Sequence, residues 1–281
     1  MLIRAQAASV NPFDCAVRAG YLTGWYAYDF PLILGLDVAG VVEACGDGLT
    51  QFAPGEAVYA RTDPGRNGAY AEYVLSRPDE MAASPKSVDA LHAAAIPHVA
   101  LTALALVEAA NLTAGQTVLI HAAAGGVGHL AVQFAKQRGA RVIGTASEHN
   151  LEFLEKLGVD QVIDYPNTPF ESVVRNVDAV FDTVGYDTQQ RSWQVLKPGG
   201  ILLSIVQAPS QETADAYGVR QQMVAAGQAG GELLSKFAAM VDAGQLKVTV
   251  STVLPLSEIQ RAHTLVEARH MRGKLALDIA M

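Results

Sequence analysis

One stretch constrains this chain more than any other: Val118-Leu119-Ile120-His121-Ala122-Ala123-Ala124-Gly125-Gly126-Val127-Gly128. An apolar run passes directly into a small-residue turn. Beyond the turn, Val127, Leu130, Ala131 and Phe134 recur at i, i+3, i+4 and i+7, which is one face of an α-helix. Strand, glycine turn and helix in succession are the unit with which doubly wound parallel sheets hold dinucleotides. Gly125 lets the backbone approach a pyrophosphate, and Gly128 lets the helix pack close to the strand. The helix N-terminus presents free N–H groups and a partial positive charge. Ala123 stands where the first Gly of the usual pattern is expected, so the turn reads A-x-x-G-x-x-G. Ala123, Gly125, Gly126, Val127 and Gly128 are therefore the expected diphosphate cradle. The alternative is a tight strand-to-helix turn that binds nothing.

The chain around this unit divides by texture. With 281 residues it has room for two domains. Up to about residue 90, short strand-like runs (Val38–Glu43, Val58–Ala60, Tyr70–Val74) alternate with turns such as Gly46-Asp47-Gly48 and Ala53-Pro54-Gly55-Glu56. Such spacing suggests a barrel or sandwich. Residues 89–111 are Ala- and Leu-rich and helical in propensity, broken or kinked at Pro97. Apolar strands then alternate with helical segments to about residue 250, the pattern of a parallel sheet covered on both faces. A helix over 256–268 and a strand over 275–279 close the chain. The expected organisation is α/β, with a β-rich domain formed by residues 1–90 and 251–281 and a Rossmann domain over 91–250.

The second strand of the α/β unit bears on which nucleotide is held. NAD-preferring sites place an Asp or Glu at its end to bind the ribose hydroxyls. No acid occurs between Gly126 and Ser147, and the strand ends Gly144-Thr145-Ala146-Ser147. Small hydroxyl residues leave room for a 2′-phosphate, which a carboxylate would repel, so NADPH is favoured. Glu148, one residue on, is the acid that argues the other way.

Charge and composition exclude other classes. The chain carries 28 acidic and 20 basic residues, net −8, with no Lys/Arg run, so no nucleic-acid partner is expected. The longest uncharged stretch, 109–135, is interrupted by polar residues and glycines, so no membrane span is expected. Two cysteines cannot build a disulfide scaffold, and the N-terminus lacks the pattern of a secretory signal. The expected location is cytoplasmic.

Four segments carry a family resemblance: Ala8-Ser9-Val10-Asn11-Pro12-Phe13-Asp14, Leu34-Gly35-Leu36-Asp37-Val38-Ala39-Gly40, the 122–128 turn, and Lys197-Pro198-Gly199-Gly200. The chain resembles the medium-chain dehydrogenase/reductase superfamily, in its zinc-independent NADPH:quinone oxidoreductase (zeta-crystallin-like) branch. The resemblance implies a GroES-like β-barrel catalytic domain, with a strand and hairpin preceding the segment that starts at Met1, and a Rossmann domain. It implies an NADPH-dependent reductase of a quinone or α,β-unsaturated carbonyl, working as a homodimer through an edge strand near Ser204–Gln207. Asn11 would lie at the nicotinamide end of the coenzyme. Thr145 and Ser147 would face the 2′-phosphate and Tyr165 the adenine. Val184, Ser204, Ile205 and Val206 would flank the nicotinamide.

Zinc-dependent members of that superfamily use Cys-x-x-Asp, Gly-His-Glu and a later Cys. Here the matching residues are Asn11-Pro12-Phe13-Asp14, Gly35-Leu36-Asp37 and, by position, His98, so no metal is expected. The substrate oxygen then needs hydrogen-bond donors, for which the candidates are the Asn11 amide and the Tyr21 phenol. Either has a plainer alternative, since Asn-Pro is a common turn pair. Trp25, Tyr26, Tyr28 and Phe30 are a candidate apolar wall for a flat substrate. Two other functions remain open: an enoyl-thioester reductase, and a non-catalytic NADPH-binding redox sensor.

Overall fold

The computed structural model describes residues 1–227 and 230–280. It contains two compact units: Met1–Val99 with Gln228–Met281, and Ala100–Gly227. The first unit begins with β1 (Leu2–Val10) and α1 (Pro12–Arg18), which the sequence did not announce. β2 (Asp37–Ala44), β3 (Ala57–Arg61), β4 (Tyr73–Leu75) and β5 (Met81–Ala83) follow, then α2 (Ala90–Ala94) and the start of α3 (Pro97–Ala110). The helical stretch is broken just before Pro97 rather than kinked there. Pro97 opens the second of two helices, where its missing N–H costs nothing.

The second unit is the α/β alternation: β6 (Thr117–Ile120), α4 (Gly126–Gln137), β7 (Arg141–Ala146), α5 (Leu151–Lys156), β8 (Gln161–Asp164), α6 (Phe170–Val173), β9 (Val177–Asp182), α7 (Tyr186–Ser192), β10 (Leu196–Ser204), α8 (Gln211–Tyr217) and β11 (Arg220–Met223). The chain then returns to the first unit as α9 (Gly231–Asp242), β12 (Val250–Pro255), α10 (Ile259–Glu267) and β13 (Lys274–Asp278). The boundaries thus differ from the expected 90/91 and 250/251. α9 is amphipathic, but its buried face packs on β5, and the Tyr59 hydroxyl donates to Leu234 O at 2.5 Å. Nothing in the pattern of α9 says which sheet its apolar stripe covers.

The first sheet has seven strands in the order β12-β13-β1-β2-β3-β5, with β4 also paired to β1. All its pairings are antiparallel except β12 with β13. Ile3, Val38, Val42, Val58, Val74, Leu275 and Leu277 fill its core.

The second sheet is wholly parallel, in the order β11-β10-β9-β6-β7-β8. From β6 the chain runs outward to β7 and β8, then crosses back to β9 and runs the other way. The order therefore reverses between β6 and β9, and in such sheets ligands bind outside the carboxyl ends of the strands at that point. The outermost strand beside β10 is β11, so residues 201–204 are interior and the edge expected near Ser204–Gln207 lies instead at 220–223. Among the described residues, no helix is long and apolar enough to cross a membrane.

Candidate functional site

At the carboxyl end of β6 the chain turns through Ala122, whose φ of 45° is left-handed, an uncommon choice for a residue with a Cβ. Three bonds hold that turn. Gly125 N donates to Ala122 O at 2.9 Å, Ala123 N to Thr145 O at 2.9 Å, and Ala122 N to Thr145 Oγ1 at 3.2 Å. Gly125 is the N-cap of α4, and no side chain caps the helix. The N–H groups of its first turn have no intrahelical partners and suit an anion. Gly128 does what the sequence suggests: a Cβ there would stand 2.3 Å from Ala122 O and 2.8 Å from Ala123 Cα. Ala123 is buried, while Gly125, Gly126 and Val127 are half-buried at the helix start.

The residues expected to face the 2′-phosphate divide. Ser147 is half-buried, its hydroxyl 3.3 Å from His149 Nδ1. Tyr165, just after β8, is about half exposed. Thr145 is buried, and its hydroxyl points under the glycine turn. The proton order there follows from the partners. Ser192 Oγ spends its one proton on Thr188 O at 2.7 Å, so His121 Nε2 must donate to Ser192 Oγ at 2.9 Å. His121 Nδ1 is then an acceptor and takes the Thr145 proton at 3.3 Å. Burial holds His121 down at about 4, so the ring is neutral. Thr145 is therefore part of the turn's support and is not placed to face a phosphate. The sequence pattern could not show this, because both faces of a central parallel strand are covered.

Of the residues expected at the nicotinamide end, Val184 follows β9, where the sheet order reverses, and Ser204, Ile205 and Val206 close and follow the neighbouring strand β10. Val184 and Ile205 are half-buried and Val206 is exposed. Ser204 is fully buried, and its hydroxyl donates to Asp182 Oδ2 at 2.8 Å rather than facing outward. Asp182, at the end of β9, was not anticipated, nor was Thr183, whose hydroxyl donates to His121 O at 2.7 Å and joins the ends of β9 and β6.

A second polar cluster lies in the first unit. Asn11 is fully buried. Its Nδ2 donates to Asp37 Oδ2 at 2.8 Å, and its Oδ1 accepts from Lys274 Nζ at 2.5 Å. Asp37 also accepts from Ser9 Oγ and from the backbone N–H of His98, each at 2.9 Å. Asp14 Oδ2 accepts from Asn11 N and Tyr70 Oη, each at 2.8 Å. Burial raises both carboxyls, Asp14 to about 7, and lowers Lys274. Asn11 is thus the link between a buried cation and a buried carboxyl, with no surface left to meet a ligand. Tyr21 is the opposite case, 79% exposed in the segment after α1.

Zinc does not fit this cluster. The three matching positions hold an amide, Leu36 and an imidazole, and the Asn11 amide is already engaged on both sides. Arg61 Nε donates to His98 Nδ1 at 3.2 Å, where a cation would have to bind. Burial, with Arg61 and Lys274 nearby, holds His98 well below the usual imidazole range. Among the described residues no group of three His, Cys, Asp or Glu is arranged for a metal.

Comparison with known proteins agrees with both units. Residues 1–86 match the alcohol dehydrogenase GroES-like domain, and residues 157–277 match the zinc-binding dehydrogenase family. The chain is 32% identical over 325 residues to the mitochondrial NAD(P)H oxidoreductase RTN4IP1 of Mus musculus, covering 99% of this chain and 81% of that one. It is 31% identical over 289 residues to the chloroplastic NADPH-dependent alkenal/one oxidoreductase of Arabidopsis thaliana, covering 99% and 71%. Its backbone superposes on the quinone oxidoreductase of Coxiella burnetii with a TM-score of 0.91 at 36% identity, covering 99% and 90%. A glycine turn under a parallel sheet, a GroES-like unit without zinc donors and these likenesses converge: the chain belongs to the medium-chain dehydrogenase/reductase superfamily, among its quinone oxidoreductase-like members.

Proposed function

We propose that the protein is an NADPH-dependent, zinc-independent reductase of quinones or α,β-unsaturated carbonyl compounds. The observation that carries this is the uncapped start of α4 behind the Ala122 turn, at the point where strand order reverses. The relatives add the chemical class, since their names give NAD(P)H as the reductant and quinones or alkenals as acceptors. When bound, NADPH supplies the hydride.

The protein's own part is binding, orientation and the handling of protons. The amides at the start of α4 hold the diphosphate, and the loops after β9 and β10 hold the nicotinamide end. Ser147 and Tyr165 serve the adenosine end. In the first unit, the Asn11–Asp37–Lys274 frame fixes the backbone around Val10 and His98. A quinone needs little acid catalysis, because its reduced anion is resonance-stabilised and solvent protonates it. An enone passes through an enolate whose α-carbon takes a proton from Tyr21 or from water. Trp25 and Phe30, each 81% exposed, supply apolar surface for a flat acceptor. A homodimer through the outer strand β11 belongs to the same proposal, and light scattering at micromolar concentration tests it.

The deciding assay follows NADPH absorbance with 1,2-naphthoquinone, with a small enone and with an enoyl thioester. Turnover of the first two is expected. Turnover of the thioester alone would make the protein an enoyl-thioester reductase, and tight NADPH binding without turnover would make it a sensor. Tyr21→Phe should leave quinone turnover within twofold and slow the enone several-fold. An equal loss on both acceptors would remove Tyr21 from proton delivery.

A further inference from the structure

We infer that Asp182 is the positioning residue for the nicotinamide end of the coenzyme, a single buried carboxylate that fixes both flanking loops. The inference rests on the coenzyme reading of the preceding subsection. Asp182 closes β9 at the reversal of strand order and is fully buried. Its Oδ1 accepts from the backbone N–H groups of Val184 at 3.1 Å and Gly185 at 2.7 Å, in the loop after β9. Its Oδ2 accepts from Ser204 Oγ at 2.8 Å and Gln189 Nε2 at 2.9 Å. Through those two it reaches the loop after β10. Ser204 Oγ accepts from Val206 N at 3.2 Å and Gln207 N at 3.3 Å, and Gln189 Nε2 also donates to Gln207 O at 2.9 Å.

All four partners of Asp182 are donors, so only a group with two acceptor oxygens satisfies them at once. The loops also touch directly. Gly185 has a left-handed φ of 80°, and a Cβ there would stand 3.1 Å from Val206 Cγ1. A shift of either loop is therefore passed to the other. The carboxylate has no exposed surface and meets no ligand, so it acts by holding Val184 and Val206 in place. Alignment of a hydride donor is steep in geometry, and small misplacement costs rate as well as affinity.

Asp182→Asn is nearly isosteric and turns one acceptor oxygen into a donor, so one of the two donor pairs loses its partner. Adenosine 2′,5′-bisphosphate, which lacks the nicotinamide, separates a local effect from general loosening. The expected result is a Kd for the bisphosphate within twofold of the parent, a Kd for NADPH raised about tenfold, and kcat with 1,2-naphthoquinone lowered at least tenfold. Ser204→Ala removes one donor and frees the N–H groups of Val206 and Gln207. It should move NADPH in the same direction by two- to fourfold and carries the test alone if the first variant does not fold. Parallel weakening of bisphosphate and NADPH, or no change in either variant, overturns the assignment. A parent protein that binds neither probe would instead refute the coenzyme reading.

Discussion

Thr145→Val removes a hydroxyl at nearly constant volume and tests what that hydroxyl does. If it supports the turn, two groups lose a partner: Nδ1 of His121, a residue 1% exposed, and the N–H of Ala122, a half-buried residue. An unsatisfied buried polar group costs about 1–3 kcal/mol. Both bonds are long, at 3.3 and 3.2 Å, so the total should lie toward the low end for two such groups, about 2 kcal/mol. Urea unfolding of the second unit should then shift by about 1 M, at a slope of about 2 kcal/mol per M. The two tryptophans make this readable. Trp193 is buried in the second unit and changes environment when it unfolds, whereas Trp25 is exposed throughout. Thr145→Ser keeps the hydroxyl and should recover more than half of the loss. The ratio of NADPH to NADH affinity should stay within twofold in both variants. Unchanged stability, with a tenfold fall in NADPH affinity alone, would put the hydroxyl on the 2′-phosphate and refute the argument.

Two further outcomes follow from the same geometry. Gly128→Ala drives a methyl into the backbone of Ala122 and Ala123, so the helix start must move by about an ångström. Fluorescence titration should show NADPH affinity reduced more than tenfold, and retained affinity would mean the diphosphate does not need that approach. Asp14 has its carboxyl raised to about 7 by burial, above its unfolded value, so the folded state keeps a proton that the unfolded state has lost. Its contribution favours the folded state below about pH 4 and is lost as pH rises to about 7. Asp14→Asn should flatten the stability of the first unit over that window and raise it at pH 8 relative to the parent. Identical urea midpoints for the two proteins across pH 4.5–8 would contradict this.

Much of the architecture could be read before the structure, and the parts that could not share physical causes. The β6–turn–α4 unit declared itself because Gly125 and Gly128 are demanded by local geometry and Leu130, Ala131 and Phe134 by burial. β1 stayed hidden because Ala5-Gln6-Ala7-Ala8 has neither β-branched residues nor alternation, although it is the centre of its sheet. α9 joins the first unit although its pattern continues the α/β alternation, because an amphipathic stripe records that a face is buried and says nothing of its partner. Asn11, Thr145 and Ser204 were expected to meet ligand. Each is a polar residue next to the expected site whose side chain turns inward to satisfy another buried group. The buried-hub roles of Asp182, Asp37 and Lys274 were not legible for the complementary reason, that such hubs join residues far apart in sequence and leave no local motif.

A crystal structure with NADPH bound tests most directly whether the coenzyme diphosphate is held at the start of α4. Diphosphate oxygens should lie about 3 Å from the backbone nitrogens of Gly126 and Val127. A diphosphate bound elsewhere, with the Gly125–Gly128 turn contacting only solvent, would contradict it.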